Sequence, residues 1–265
     1  MIIGFIGTGN MGGALARAVR SARPNDVLLL SDASSERAEA LAQEVGGDVV
    51  DNRTVAMNAD YIFLGVKPQM LQDMLSGIVG LLRSRADSFT IISMTAGVPI
   101  SRLKQLCGRP CPIIRIMPNT PVSVGEGAVL YSVSEGTSPE AVYKFCEIMA
   151  NAGRLMNIDE RLIDAASAIS GCGPAYADLF IEALADGGVA CGLPRSTAIA
   201  LASQMLLGSA KLQLETGKHP GELKDAVCSP AGSTIEGVKA LEDGCFRSAV
   251  INAVISAYKR TKELG

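Results

Sequence analysis

Over the first 160 positions, apolar residues fall into short unbroken runs separated by stretches where they recur every three or four places. Unbroken runs suit strands buried on both faces, and the three-to-four spacing suits helices packed along one stripe. The runs predict strands at Ile2 to Ile6, Val27 to Ser31, Val49-Val50, Tyr61 to Val66, Phe89 to Met94, Ile113 to Met117, Ala128 to Val133 and Leu155 to Ile158. Helical spacing covers Ala14 to Val19, Ser34 to Val45, Gln69 to Leu82 and Pro139 to Ala150, the second closed by Gly46-Gly47. Strands alternating with helices mean a mostly parallel, doubly wound α/β sheet, assigned to residues 1–158.

The pattern changes around Asp159. From Arg161 onward no strand is expected, only helical segments broken by glycine and proline. Tyr176, Leu179, Phe180, Ala183 and Leu184 make one stripe. Leu201, Met205 and Leu212 make a second, and Phe246, Val250, Ile251, Val254 and Tyr258 a third. The segment Thr197 to Leu214 is apolar or small on nearly every face, which demands burial all round. A stretch of about a hundred residues can scarcely bury such helices alone. Residues 159–265 are therefore expected to form an all-helical domain that dimerises.

Composition removes several classes of function. The 265 residues are 48% hydrophobic and 19% charged, so the chain is not disordered. A net charge of −3 without a Lys/Arg cluster argues against a nucleic-acid partner. No apolar run approaches the ~18 residues of a membrane helix, and the first residues lack the basic region of a signal peptide. Seven cysteines without a C-x-x-C pair are expected to be reduced, in a cytoplasmic protein. Cys107 and Cys111 are the one cysteine pair close enough in sequence to share a metal. With a single histidine in the chain, no metal site is expected.

Candidate chemistry begins at Gly7-Thr8-Gly9-Asn10-Met11-Gly12, a G-x-G-x-x-G between the first strand and the first helix. Gly7 permits the tight turn, Gly9 lets backbone approach a pyrophosphate, and Gly12 lets helix pack on strand. The turn marks the domain as a Rossmann-type dinucleotide binder, with the phosphates at the helix N-terminus. Asp32 lies twenty positions past Gly12, where an acid can hold the adenosine ribose of NAD. Ser34 and Arg37 beside it are suited to the 2′-phosphate of NADP, although Ser34 is also a natural helix N-cap. Both cofactor readings stay open at this point. Loops after later strands, containing Val66-Lys67-Pro68, Thr95-Ala96-Gly97 and Pro118-Asn119-Thr120, fall at the edge where ligands sit in such sheets. Lys67 is given at most a positioning role there. Asn119 can hydrogen-bond the nicotinamide region or make an Asx turn.

Late in the chain, Val227-Cys228-Ser229-Pro230-Ala231-Gly232-Ser233-Thr234-Ile235-Glu236 places Ser233 and Glu236 at capping-box spacing. A helix beginning there offers N–H groups, a favourable dipole and the Thr234 hydroxyl to a carboxylate. The lone histidine, His219, stands in His-Pro-Gly before a helix and reads as a loop residue. Neither it nor any G-x-S-x-G supports a hydrolase triad.

Taken together, these stretches resemble pyrroline-5-carboxylate reductases along essentially the whole chain. The likeness is carried by Phe5-Ile6-Gly7-x-Gly9-Asn10-Met11, Val66-Lys67-Pro68, Ala96-Gly97-Val98, Met117-Pro118-Asn119-Thr120-Pro121, Ser170-Gly171-x-Gly173-Pro174-Ala175-Tyr176 and His219-Pro220-Gly221-x-Leu223-Lys224-Asp225. It is most specific in Val227 to Thr234. Where this chain has Ala231 the family usually has a second glycine, a departure expected to narrow the loop slightly. The resemblance implies reduction of the imine of 1-pyrroline-5-carboxylate to L-proline by NADPH or NADH. It implies that Ile6, Gly7, Thr8, Gly9, Asn10, Met11, Asn52, Val66, Lys67, Pro68, Ala96 and Gly97 line the dinucleotide, joined by Asp32, Ser34 and Asn119 from the reading above. It further implies that Gly232, Ser233 and Thr234 hold the substrate carboxylate, with the Thr234 hydroxyl reaching the ring nitrogen. The family uses NADPH and forms interlocked dimers, often assembled into decamers. Asp32, where the family carries uncharged residues, keeps NADH in play.

Two other readings compete. β-Hydroxyacid dehydrogenases share the opening glycine turn but carry a catalytic lysine four positions after the second glycine of a G-x-G motif. Counted from Gly173, that position here is Ala177. A non-catalytic dinucleotide sensor would not need the carboxylate-ready helix at Ser233-Thr234.

Overall fold

The computed structural model describes residues 1–264. It divides into two compact units, Met1–Gly171 together with the chain from Tyr258 on, and Cys172–Ala257.

The first unit is built on one eight-stranded sheet. Its strands are β1 (Ile2–Ile6), β2 (Val27–Ser31), β3 (Asp48–Val49), β4 (Tyr61–Leu64), β5 (Thr90–Ser93), β6 (Ile113–Met117), β7 (Gly127–Val133) and β8 (Gly153–Asn157). Their order across the sheet is β3-β2-β1-β4-β5-β6-β7-β8. Pairing is parallel from β3 through β6; β7 turns antiparallel on β6, and β8 follows β7 in parallel. This is the doubly wound α/β arrangement expected. The helices that cross between strands are α1 (Asn10–Ala22), α2 (Ser35–Val45), α3 (Asn52–Asn58), α4 (Pro68–Ser84), α5 (Ile100–Cys107) and α6 (Pro139–Ile148), followed after β8 by α7 (Ile163–Ser170).

Apolar side chains alternate between two cores. Ile3, Phe5, Leu28, Leu30 and Phe63 pack on one face with Leu15 and Val19 of α1. Ile6, Leu29, Ile62 and Leu64 pack on the other with Leu71, Leu75 and Ile78 of α4. Phe5 and Phe63 stack across the β1–β4 pair with ring centroids 4.5 Å apart. Burial of both faces is why these strands read as unbroken apolar runs.

Several expected elements shift. The third strand is Asp48–Val49 rather than Val49-Val50, and the runs from Tyr61 and Phe89 leave their last residues to the loops that follow. Helices α3 and α5 have no counterpart in the sequence reading. Each spans eight residues or fewer, so few apolar positions mark its period.

The second unit holds α8 (Gly173–Ala190), α9 (Arg195–Thr216), α10 (Pro220–Ala226), α11 (Ser233–Asp243) and the start of α12 (Phe246–Leu264). Here Phe180 meets Phe246 with ring centroids 5.7 Å apart, and the Tyr176 hydroxyl donates to Ala253 O at 3.4 Å. Only Ala185, Ala198 and Ala202 of α8 and α9 are buried. Leu179, Leu201, Leu207, Leu212 and Ile251 are all more than half exposed. So much apolar surface on one unit is the mark of an interaction face.

Candidate active site

Strand order makes the site. β1 and β4 are neighbours, but β1 connects away to β2 and β4 onward to β5, so a crevice opens beyond their C-terminal ends. Register sets Ile6 opposite Leu64, which brings Gly7 and Gly65 together at the mouth of that crevice. Gly7 has φ +98°, and a methyl group on it would lie 2.7 Å from the Gly65 carbonyl. Gly65 is as constrained, its own Cβ falling 2.7 Å from Gly7 O. A Cβ on Gly12 would collide with Gly7 O, so that glycine closes the turn against the helix. Gly9 differs: a Cβ there meets nothing nearer than the Arg37 guanidinium at 4.0 Å. The turn thus leaves open room beside Gly9, and no side chain caps α1. Uncapped N–H groups around an open glycine fit a dinucleotide pyrophosphate.

A cavity of about 1060 Å³ runs from this turn along the strand ends. Of the anticipated cofactor residues, Ile6, Gly7, Gly9, Asp32, Asn52, Val66 and Lys67 line it. Thr8, Asn10, Met11, Ser34, Pro68, Ala96, Gly97 and Asn119 do not contribute to that wall. Asn10, Ala96 and Gly97 are exposed, whereas Thr8 is buried. The lining also includes Arg53, Gln69 and Met70, which sequence patterning did not single out. Arg53 follows Asn52 in α3, a helix the periodicity did not reveal.

Asp32 is held firmly. Its Oδ2 accepts from Thr8 N at 2.7 Å and Thr8 Oγ1 at 3.1 Å, and its Oδ1 accepts from Ser34 N at 3.0 Å. Burial alone would raise this carboxyl, but the Ser34 and Thr8 N–H groups, the Thr8 hydroxyl and Arg37 outweigh it and hold it below its ordinary value. Arg37 Nη1 stands 3.8 Å from Oδ1 and is 59% exposed. Ser34 is the N-cap of α2, accepting from Arg37 N at 3.4 Å. Asn52 Oδ1 accepts from Ser31 Oγ at 2.7 Å.

Asn119 is buried, and its amide is spent on the chain itself. Nδ2 donates to Ser170 O at 2.9 Å, and Oδ1 accepts from Ala128 N at 2.8 Å. It therefore pins the loop after β6.

In the second unit, the helix expected near Ser233 is present as α11, but without the capping box. Gly232 is the N-cap, with φ −77° and ψ 165°, and no side chain caps it. The reason is the preceding turn. Gly232 N donates to Ser229 O at 3.0 Å across Pro230 and Ala231, and Ala231 has φ +55°. Proline then a left-handed residue is the pattern of a type II turn, which favours glycine at that second position. The cost of Ala231 is thus backbone strain rather than a narrowed loop. The Ser233 and Thr234 side chains are exposed at the helix start, and their hydroxyls make no hydrogen bond among the described residues. His219 caps α10, its Nδ1 accepting from Gly221 N at 3.1 Å.

A glycine turn opening onto a cavity at the switch point of a doubly wound sheet defines a dinucleotide-dependent oxidoreductase of the Rossmann class. A family model described as pyrroline-5-carboxylate reductase dimerisation matches residues 160–264, and one described as NADP oxidoreductase, coenzyme F420-dependent, matches residues 2–97. A pyrroline-5-carboxylate reductase of Glycine max is 40% identical over 265 residues, covering 99% of this chain and 95% of that protein. The crystal structure of Plasmodium falciparum pyrroline carboxylate reductase with NADP bound aligns at TM-score 0.87 and 33% identity, over 100% of this chain and 98% of that one. A Coxiella burnetii pyrroline-5-carboxylate reductase aligns at TM-score 0.91 and 32% identity, over 99% and 98%. The chain belongs to the pyrroline-5-carboxylate reductase family.

Among the described residues no helix is long and apolar enough to cross a membrane, and no group of three or more His, Cys, Asp and Glu is placed to hold a metal ion.

Proposed function

We propose that this chain reduces 1-pyrroline-5-carboxylate to L-proline, with the glycine turn as its dinucleotide site and the start of α11 as its carboxylate site. The observation that carries the substrate assignment is the uncapped α11 N-terminus with two exposed, unpartnered hydroxyls. The dinucleotide, when bound, supplies the hydride that adds to the imine carbon.

The chain's own part is binding, orientation and one proton. N–H groups of Ser233 and Thr234, reinforced by the positive end of α11, hold the carboxylate after the Gly232 turn. The Thr234 hydroxyl donates at the ring nitrogen, where a proton must arrive as the imine becomes an amine. In the first unit, Gly7 to Met11 receive the pyrophosphate. Asn52 and Ser34 serve the adenosine ribose, and Val66, Lys67, Pro68, Ala96 and Gly97 serve the nicotinamide half. Asn119 acts by fixing the loop after β6. Most of the rate then comes from holding two reactants in register.

NADPH is the favoured dinucleotide in this reading. Asp32 already accepts three hydrogen bonds from the chain, while Arg37 and Arg53 border the cavity with their cationic ends available to a 2′-phosphate. The apolar faces of α8, α9 and α12 form a homodimer. Assembly into a decamer rests on the family resemblance, and residence in the cytoplasm on the reading of the seven cysteines as reduced. The test of the reading is loss of the reduced-nicotinamide absorbance when pyrroline-5-carboxylate is added, with 3-hydroxyisobutyrate and NADP as control. Turnover of the control alone would favour a hydroxyacid dehydrogenase.

A further inference from the structure

Past the C-terminal ends of β4 and β5 the two chains stay joined for a short distance. Leu64 stands opposite Ser93 at the last paired position, and Met94 N still donates to Leu64 O at 3.1 Å. The backbones then part into the loops Gly65 to Pro68 and Thr95 to Gly97. Carbonyls along an extended chain face alternate neighbours. Leu64 O and Val66 O face the β5 side, the first accepting from Met94 N and the second from Thr95 Oγ1 at 3.4 Å. Gly65 O lies on the other side, against Gly7. Thr95 N is turned back to its own strand, donating to Ser93 Oγ at 3.4 Å, so the bond from Thr95 across to the first loop is made by its hydroxyl. Ser93 and Thr95 are both buried.

We propose that Thr95 is a positioning residue for the nicotinamide half of the dinucleotide, its hydroxyl fixing Val66 and, through it, the mouth of the crevice between Gly65 and the glycine turn. Gly65-Val66 is gripped from both sides. On the β1 side, Gly7 and Gly65 approach so closely that neither has room for a Cβ. On the β5 side, a Cβ on Gly65 would lie 3.4 Å from Met94 Sδ, and Val66 is held by Thr95. Val66 lines the dinucleotide cavity, and Pro68 opens α4 with Lys67 as its N-cap. Proline fixes φ at the start of that helix, so Val66 and Lys67 are the residues left to move. The Thr95 hydroxyl removes that freedom at Val66.

In the function proposed above, on which this role rests, Val66 to Pro68 and Ala96-Gly97 serve the nicotinamide half. Thr95 is the residue whose side chain ties one of these loops to the other. It acts from beneath: Thr95 is buried and does not line the cavity, whereas its neighbours Ala96 and Gly97 are exposed. Hydride transfer depends on the two reactants being held in line, so a loop that sets the nicotinamide's place bears on rate without touching the reacting atoms.

The test compares Thr95→Val, which keeps the shape and removes the hydroxyl, with Thr95→Ser, which keeps the hydroxyl. Each full-length variant is titrated calorimetrically with NADPH and with 2′,5′-ADP, which carries the adenosine half alone. Thr95→Val is expected to weaken NADPH about three- to tenfold, the scale of one net hydrogen bond, and to leave 2′,5′-ADP within about twofold. Thr95→Ser should bind both as the wild type does. Equal loss of both ligands in Thr95→Val would mean general damage to the fold and overturn the proposal. Unchanged NADPH affinity would overturn it too, as would Thr95→Ser binding NADPH as weakly as Thr95→Val. If Thr95→Val does not fold, Thr95→Ala removes the same hydroxyl and is read against the same two ligands. No titration contains pyrroline-5-carboxylate, so a wild type that fails to reduce that compound would count against the proposed reaction and leave the role of Thr95 to be decided by these affinities.

Discussion

Thr8 gives both its backbone N–H and its hydroxyl to a single oxygen of Asp32, at 2.7 and 3.1 Å. The residue between Gly7 and Gly9 is thereby tied to the end of β2, and the acid expected at a ribose is engaged in shaping the loop. Asp32→Ala is accordingly expected to weaken NADPH and NADH alike, each by about three- to tenfold, the loss of roughly one net hydrogen bond. Titration of both dinucleotides by fluorescence checks this. A change confined to one of them would mean that Asp32 faces the ribose instead.

The same contacts make the carboxylate a source of acid sensitivity. Asp32 is held below its ordinary value, so its contribution to stability is present at neutral pH and disappears as pH falls through that lowered value. Wild-type Tm should therefore fall more steeply than that of Asp32→Asn between about pH 5 and about pH 2. Parallel curves would show that Asp32 has the same proton affinity folded and unfolded.

Cofactor choice rests on the cations across the cavity. Arg37→Ala is predicted to raise KM for NADPH about tenfold or more, from loss of a charge-assisted hydrogen bond of ~1.5–3 kcal/mol. KM for NADH should stay within about twofold. Steady-state kinetics with each dinucleotide separates the outcomes.

Ala231 is an alanine in a turn position that favours glycine, with φ +55°. Ala231→Gly relieves a left-handed strain of roughly 1–2 kcal/mol, partly offset by the greater freedom of glycine in the unfolded chain. A rise in Tm with unchanged kcat is the expected outcome. A fall in Tm would show that the turn tolerates the methyl group without strain.

Much of this arrangement could be read before any coordinates. β1, β2 and β6 match their apolar runs because burial on both faces leaves no room for polar punctuation. The glycine turn was legible because Gly7 and Gly12 each answer a steric demand that no other residue meets. Other features depend on partners distant in sequence. The close approach of Gly65 to Gly7 follows from β1–β4 register, and Arg53 reaches the cavity only because α3 packs where it does. The antiparallel sense of β7 was invisible because an apolar strand reads the same in both directions. At α11 the Ser233–Glu236 spacing was real, yet the Pro230–Ala231 turn moved the cap back to Gly232. That displacement is what leaves the Ser233 and Thr234 hydroxyls available.

Thr234→Ala is expected to lower kcat/KM for pyrroline-5-carboxylate about a hundredfold, the usual scale for loss of a positioned proton donor. Dinucleotide affinity should be nearly unchanged. Normal activity would remove Thr234 from the mechanism.

Hydride delivery itself is the most direct test. With NADPH deuterated at both C4 positions, turnover of pyrroline-5-carboxylate by the purified protein should give L-proline carrying one deuterium at C5, the former imine carbon. Proline without deuterium, or consumption of neither reactant, would contradict the assignment of this chain as the reductase.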